Sequence, residues 1–160
     1  GSALRQKGRY EKAISAYEEA IELGRKYNIL YMVKIYHALA RLYHYQADYP
    51  RAEYYYQETL KRTKRSDTVY SQALEDWGQL AYQKLDKIRA LKLLKKAVHL
   101  KNGFKGYPLS GYPQTLGKLA LLYEEMGKRS LALKAWQEVY EVGLGECQEQ
   151  AKEHLAALCR

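Results

Sequence analysis

Residues 36–59 read YHALARLYHYQADYPRAEYYYQET. Tyr36, Leu39, Ala40 and Tyr43 recur at spacings of 3, 1 and 3, which puts large residues and one small one on a single helical stripe. Ala40, at the centre of that stripe, lets a second helix approach closely. That helix brings its own small residue, Ala52, and four residues later Tyr56. Between the two, Ala47-Asp48-Tyr49-Pro50 reads as a turn: Pro50 suits the first turn of a helix, where its missing N–H is no loss, and it disfavours helical backbone at Tyr49. The stretch predicts one helix hairpin closed on small residues.

This order of residue types (large, Leu, Ala, Tyr, then Ala and an aromatic after the turn) resembles the tetratricopeptide repeat. The resemblance implies an all-α fold, a right-handed superhelix of antiparallel helix hairpins whose concave wall is made by the first helix of each pair. The pattern recurs along the chain, anchored by the Ala that opens each second helix: Ala13, Ala52, Ala90 and Ala132, at intervals of 39, 38 and 42 residues. The usual repeat is about 34 residues, so the likeness is to the long repeats of kinesin light chains, of bacterial Rap-type regulators and of MalT-like arms.

The expected organisation is a single repeat domain over 3–160, with units at 3–27, 28–66, 67–105 and 113–145 and a closing helix over 146–159. Residues 1–2, Gly-Ser, read as an expression scar. The first unit reads as truncated: Ala3 to Lys7 would be the tail of a first helix, with a turn at Gly8-Arg9-Tyr10. Its second helix carries Ala13, Ile14, Tyr17, Ala20 and Ile21 on one stripe and Glu18, Glu19 and Glu22 outward. The second unit begins near Asn28, a capping residue. In the third unit Leu74, Gly78 and Ala81 stand where Tyr36, Ala40 and Tyr43 stood. Residues 101–113, with three Gly and two Pro, read as a surface joint onto which Phe104, Tyr107 and Tyr112 fold back. The fourth unit has Leu116, Leu119, Ala120 and Tyr123, a turn at Met126-Gly127-Lys128, then Ala132, Trp136 and Val139. Ala151, Leu155 and Leu158 share one face of the closing helix, which would shield the last apolar face from water.

Composition narrows the function classes. With 160 residues, 47% hydrophobic and 28% charged, the chain can bury a core and is not of a disordered class. Its 17 Tyr beside one Phe supply aromatic bulk with a polar tip, suited to half-buried faces. No apolar run reaches the ~18 residues of a membrane span, and no signal-peptide core appears at the start. Cys147 and Cys159, twelve residues apart on one expected helix, lie about 18 Å apart along its axis and do not pair, which suits a reducing, cytoplasmic setting. An excess of 27 basic over 18 acidic residues gives a formal charge of +9, which permits an anionic partner without requiring one.

Counting round from the packing stripe, the wall positions of the second unit include Lys34, His37, Arg41, His44 and Tyr45. The third unit offers Glu75, Asp76, Gln79 and Tyr82, and the fourth Gly117, Lys118, Leu121, Glu124 and Glu125. The resemblance makes this wall a groove for a peptide or partner segment, basic at one end and acidic further along. A mixed-charge peptide would match it, with an apolar anchor against Tyr45, Tyr82 or Leu121. The family's carboxylate clamp for chaperone tails does not fit, because Glu75 and Asp76 stand where Asn would be needed. His37 and His44, two turns apart at about 10 Å, cannot share one metal ion, so no metal and no cofactor is expected. Neighbouring Glu75 and Asp76 splay on a helix, and no nucleophile elbow or phosphate loop is present, so an enzyme is not expected. The expected function is a protein-interaction or ligand-sensing module within a larger regulatory or scaffold protein. The alternative is an anion- or nucleic-acid-binding domain using Arg89, Lys92 and Lys96, spaced i, i+3, i+7 on an outer face; a second basic cluster runs over 61–65. Self-association through the truncated first unit is a third expectation.

Overall fold

The computed structural model describes residues 2–27, 32–104 and 111–159. Among these, eight α-helices and no strand are found: α1 Ser2–Tyr27, α2 Met32–Tyr45, α3 Tyr49–Arg62, α4 Thr68–Gln83, α5 Lys87–Lys101, α6 Tyr112–Glu125, α7 Arg129–Val142 and α8 Glu146–Leu158, with a 3-10 turn at Asn102–Phe104. The helices form two compact halves, Gly1–Trp77 and Gly78–Arg160, divided within α4.

In the N-terminal half α2 packs against α3 and α1 against α2. The α2 stripe is its core: Tyr36, Leu39, Ala40 and Tyr43 are all at most 2% exposed, and Ala52 and Tyr56 of α3 are at 0%. In the C-terminal half α6 packs on α7 and α5, and α8 covers α7. Ala90, Ala120, Ala132 and Ala151 are at 0% exposure, each a small residue where two helices close. On α4, Gly78 packs tightly on α5: a Cβ there would sit 3.0 Å from Leu94 Cγ, so that side chain would have to give way. Replacing Ala40 or Ala120 by Leu forces extra atoms into these closures and is expected to cost about 1–3 kcal/mol. A variant melting at the parent temperature would show that the stripe is not a close-packed seam.

Three turns share one hydrogen-bonding pattern. Ala47 N–H donates to His44 O and Asp48 N–H to Tyr43 O; Leu85 and Asp86 do the same to Tyr82 and Ala81, and Gly127 and Lys128 to Glu124 and Tyr123. Such a crossed pair satisfies the last carbonyls of a helix and requires left-handed backbone at the first donor, and φ is 59° at Ala47, 62° at Leu85 and 68° at Gly127. Asp48 and Asp86 then cap the following helix, their side chains accepting from the N–H groups of Arg51 and Arg89 at 3.3 and 3.0 Å. Pro50 occupies the first turn of α3.

Several expectations change. The turn at Gly8-Arg9-Tyr10 does not exist, because α1 runs through it. A lone Gly costs a helix interior only about 1 kcal/mol and no Pro stands nearby to break it. Ala13 therefore lies in mid-helix and is only half-buried, unlike its supposed counterparts. The start of the second unit at Asn28 lies outside the described residues. The joint is shorter than 101–113: Lys101 ends α5 with its ammonium buried and donating to Thr115 Oγ1 at 2.8 Å, while Tyr112 and Pro113 open α6. Tyr112 does fold back, its hydroxyl donating to Glu138 of α7 at 2.8 Å. Tyr107 lies outside the described residues. Gly143 ends α7, and its Cβ would meet Val139 O at 2.5 Å, so only Gly fits that exit.

Candidate peptide-binding face

The positions Lys34, His37, Arg41, His44 and Tyr45 all fall on α2, but the fold treats them differently. Lys34, Arg41 and Tyr45 are exposed. His37 is not, at 9%; its Nε2 lies 3.0 Å from Asp76 Oδ2 of α4, and its ring is tilted against Tyr56 at 6.2 Å. Arg41 reaches the same Asp76 oxygen at 3.7 Å. One carboxylate therefore already faces two side chains of the expected ridge, His37 and Arg41. Asp76, expected as part of the acidic stretch of a mixed-charge groove, thus has two partners within the protein. Helix-face counting placed both signs nearby but could not show that they point at each other.

What remains outward is an aromatic platform. Tyr45 is 62% exposed, yet it is stacked on Tyr10 of α1 at 6.3 Å and 13° and on His44 at 6.2 Å and 16°. Arg41 Nη2 donates to the Tyr45 hydroxyl at 3.3 Å, and its guanidinium lies 6.0 Å from the ring centroid. That hydrogen bond, with Asp76's charge adding to it, holds the Arg41 guanidinium above its ordinary pKa, so the cation is permanent. His44 Nδ1 is 3.3 Å from the Tyr56 hydroxyl, which ties the platform to the core. Burial, with Asp76 nearby, pushes Tyr56 well above the usual tyrosine range. Tyr10 was missed in the sequence because its stacking depends on α1 running through the supposed turn.

Glu75 is partly buried on α4. Of the C-terminal candidates, Gln79, Lys118 and Leu121 are each partly exposed. The Tyr82 hydroxyl bonds Glu125, and Lys87 Nζ sits 3.2 Å from the same carboxylate. Those bonds, Tyr82's first, hold Glu125 below the usual carboxylate range. Gly117 and Glu124, also expected on the wall, are structural: Gly117 is buried against Trp136, and Glu124 accepts from the Trp136 indole. Arg89, Lys92 and Lys96 are exposed on α5, with Arg89 paired to Asp86 at 3.5 Å. In the other basic cluster Lys61 and Arg62 both close on Glu58, and Arg62 lies 4.7 Å over the Tyr36 ring.

A second concavity lies in the N-terminal half. Glu18, Glu19 and Glu22 of α1, read as outward, line a cleft of about 400 Å3 with Tyr54 and Tyr55 of α3. Glu18 accepts from the Tyr43 hydroxyl at 2.6 Å and Arg25 pairs with Glu22 at 3.0 Å, so part of its charge is spent internally. Burial lifts Tyr55 to about 12. Among the described residues no three metal-ligating side chains gather, and no helix is long and apolar enough to cross a membrane.

Residues 1–65 match the family model of the tetratricopeptide repeat. No curated protein sequence matches the chain. Among solved structures, BtubC (BKLC) from P. vanneervenii superposes with a TM-score of 0.84 at 18% identity, covering 96% of this chain and 66% of that one. The present chain thus spans just under two thirds of that relative. A candidate kinesin light chain of Podospora anserina, with nearly identical TPR-like repeats, gives 0.77 at 14% identity over 98% and 81% of the two chains. The N-terminal domain of stress-induced protein-1 from C. elegans gives 0.67 at 12% identity, over 80% and 94%. At such identities the likeness is one of fold, the stacked helix hairpins of tetratricopeptide-repeat structures.

Proposed function

We propose that this chain is a peptide-binding interaction module whose working face in the N-terminal half is the α2 platform of Lys34, Arg41, His44 and Tyr45, completed by Tyr10. The observation that carries the reading is Tyr45: a ring held flat by two stacking neighbours and a guanidinium while 62% of the residue stays open to solvent. An aromatic already immobilised loses little freedom when a ligand covers it, which is the property of an interface anchor. Lys34 and Arg41 set the sign of the partner. The ligand is an extended segment with an acidic residue for Arg41 or Lys34 and an apolar side chain for the Tyr45 face. The repeat units over 28–66, 67–105 and 113–145, closed by 146–159, remain the proposed organisation, and the free thiols of Cys147 and Cys159 support a reducing compartment such as the cytoplasm.

The test is selection of binders from a displayed random-peptide library, followed by affinity measurement. Acidic-apolar peptides are expected, and Tyr45→Ala should weaken them by about 30-fold, as loss of a hot spot of ~2 kcal/mol would, with the melting temperature unchanged. Arg41→Met is the better charge variant, because Arg41→Glu would set a second carboxylate against Asp76. If the selected peptides bind Tyr45→Ala normally while Lys92→Glu with Lys96→Glu abolishes binding, the outer α5 stripe is the working surface. A steep loss of affinity on raising salt from roughly 50 to 200 mM would then point to multiple phosphate contacts.

A further inference from the structure

Leu85 is the least explained residue of the fold. It occupies the left-handed position of the α4–α5 turn, with φ 62°, where the same turn between α6 and α7 uses Gly127. A branched side chain is strained there, and only Gly, or to a lesser degree Asn or Asp, adopts this backbone readily. Burial could compensate, but Leu85 is 82% exposed, and Ile88 one helical turn further is 78% exposed. Two aliphatic side chains thus project from one turn, and neither contributes to the core.

Their surroundings are basic. Lys84 and Lys87 flank Leu85 in sequence. The neighbouring α6–α7 turn is brought alongside by Lys87, whose Nζ lies 3.2 Å from Glu125 Oε2 and 3.5 Å from the Glu125 carbonyl. That turn adds the exposed Lys128 and Arg129 three and four residues on. Asp86 and Glu125 are the acidic groups here, and they face Arg89 and Lys87 respectively. The turn end of the C-terminal half therefore presents an aliphatic tip within a cationic collar.

We infer that this tip docks reversibly on an anionic phospholipid surface, Leu85 and Ile88 entering the headgroup and acyl boundary while the surrounding lysines and arginine meet lipid phosphates and carboxylates. The chemistry favours lipid over protein. A specific protein interface needs a broad area and a large anchor such as Trp, Tyr or Arg set in a pocket, whereas two projecting aliphatics suit a fluid medium that moulds round them. Basic side chains add attraction to an anionic leaflet, and an apolar tip plus a basic patch are the two weak signals from which peripheral association is built. Nucleic acid is the poorer fit, since aliphatic tips offer bases no stacking face. The inference is independent of the α2 platform, which lies in the other half of the chain.

The experiment is co-sedimentation of the purified chain with vesicles of phosphatidylcholine, with and without phosphatidylserine, near physiological salt. Binding is expected only to the anionic vesicles. Leu85→Gly with Ile88→Ser should lower it at least tenfold while melting no lower than the parent, because Gly relieves the left-handed position. Lys84→Glu with Lys128→Glu should abolish it with the circular dichroism unchanged. Full binding by the Leu85→Gly, Ile88→Ser variant would reduce the effect to general basic charge and overturn the proposal. So would equal binding to neutral vesicles, or no binding by the parent. Self-association or peptide capture that needs Leu85, with vesicles ignored, would overturn it in favour of a protein partner.

Discussion

Raising the pH from about 8 towards 12 is expected to unfold this protein, and to do so through its tyrosines. Tyr56 and Tyr112 are 0% and 2% exposed, and burial is the foremost cause holding both above the ordinary tyrosine pKa; the bond to Glu138 adds to the effect at Tyr112. In the unfolded chain both ionise near pH 10. Above that pH the unfolded state has released protons that the native state still holds, so stability falls as pH rises. The stabilisation is complete below the unfolded pKa and is lost towards the folded one. Each such group costs about 1.4 kcal/mol per pH unit, so by about pH 12 the pair removes on the order of 5 kcal/mol, comparable to the whole stability of a small domain. Tyr55, held at about 12, and Tyr43, raised by burial and by Glu18, act in the same direction. Urea denaturation at stepped pH, read beside tyrosinate absorbance, checks this. The part of the absorbance that belongs to the buried rings should appear with unfolding and not before it. Tyr112→Phe should flatten the pH dependence, and a stability unchanged up to about pH 11 would refute the account.

The same tyrosines show what could be read in advance. Tyr36, Leu39, Ala40 and Tyr43 were assigned to the core on spacing alone, and all are buried, because helix periodicity forces residues three and four apart onto one face whatever lies opposite. Ala52, Ala90 and Ala132 were placed as close-approach residues for a related reason: a small residue in an apolar stripe has use only where something presses on it. Gly8 misled because propensity is a weak local signal, and a continuous α1 outweighs one unfavourable residue. Lys101 misled in the other direction. It falls at the edge of the Gly- and Pro-rich stretch read as a joint, but Thr115, fourteen residues on, supplies a buried partner that no local pattern announces.

The candidate site was less legible than the fold. His37 and Asp76 are both expected on the wall from helix-face counting, yet they are 39 residues apart in sequence and lie against each other in the structure. Arg41 is shared between that contact and Tyr45, so the residue that sets the charge of the platform also ties it to α4. Sequence periodicity reports which face a side chain is on. It does not report whether a partner on another helix already satisfies it, and a free surface is what remains after those pairings are known.

Trp136→Ala is expected to be the most damaging single substitution in the C-terminal half, costing about 3–5 kcal/mol. The ring is fully buried and belongs to three helices at once. Gly117 of α6 lies beneath it, where a Cβ would sit 3.6 Å from the indole; its N–H donates to Glu124 of the same helix; and His154 of α8 stacks on it at 4.4 Å and 11°. His154 Nδ1 also reaches Glu124 Oε1 at 2.9 Å, so one carboxylate holds both aromatic groups. Besides this cluster α8 has Ala151 as its one fully buried residue, with Leu155 and Leu158 half-buried. Removing the indole leaves a cavity and takes away the surface on which α8 rests, so the loss should not be uniform. Hydrogen exchange should show α8 amides losing protection before those of α6, well below the global melting temperature. Trp136→Phe, which keeps a ring for His154 but no donor for Glu124, should cost less and leave α8 protected. If α8 exchange is unchanged in Trp136→Ala, the helix is held by Ala151 and the leucines alone, and the Trp136, His154 and Glu124 cluster is not what docks it.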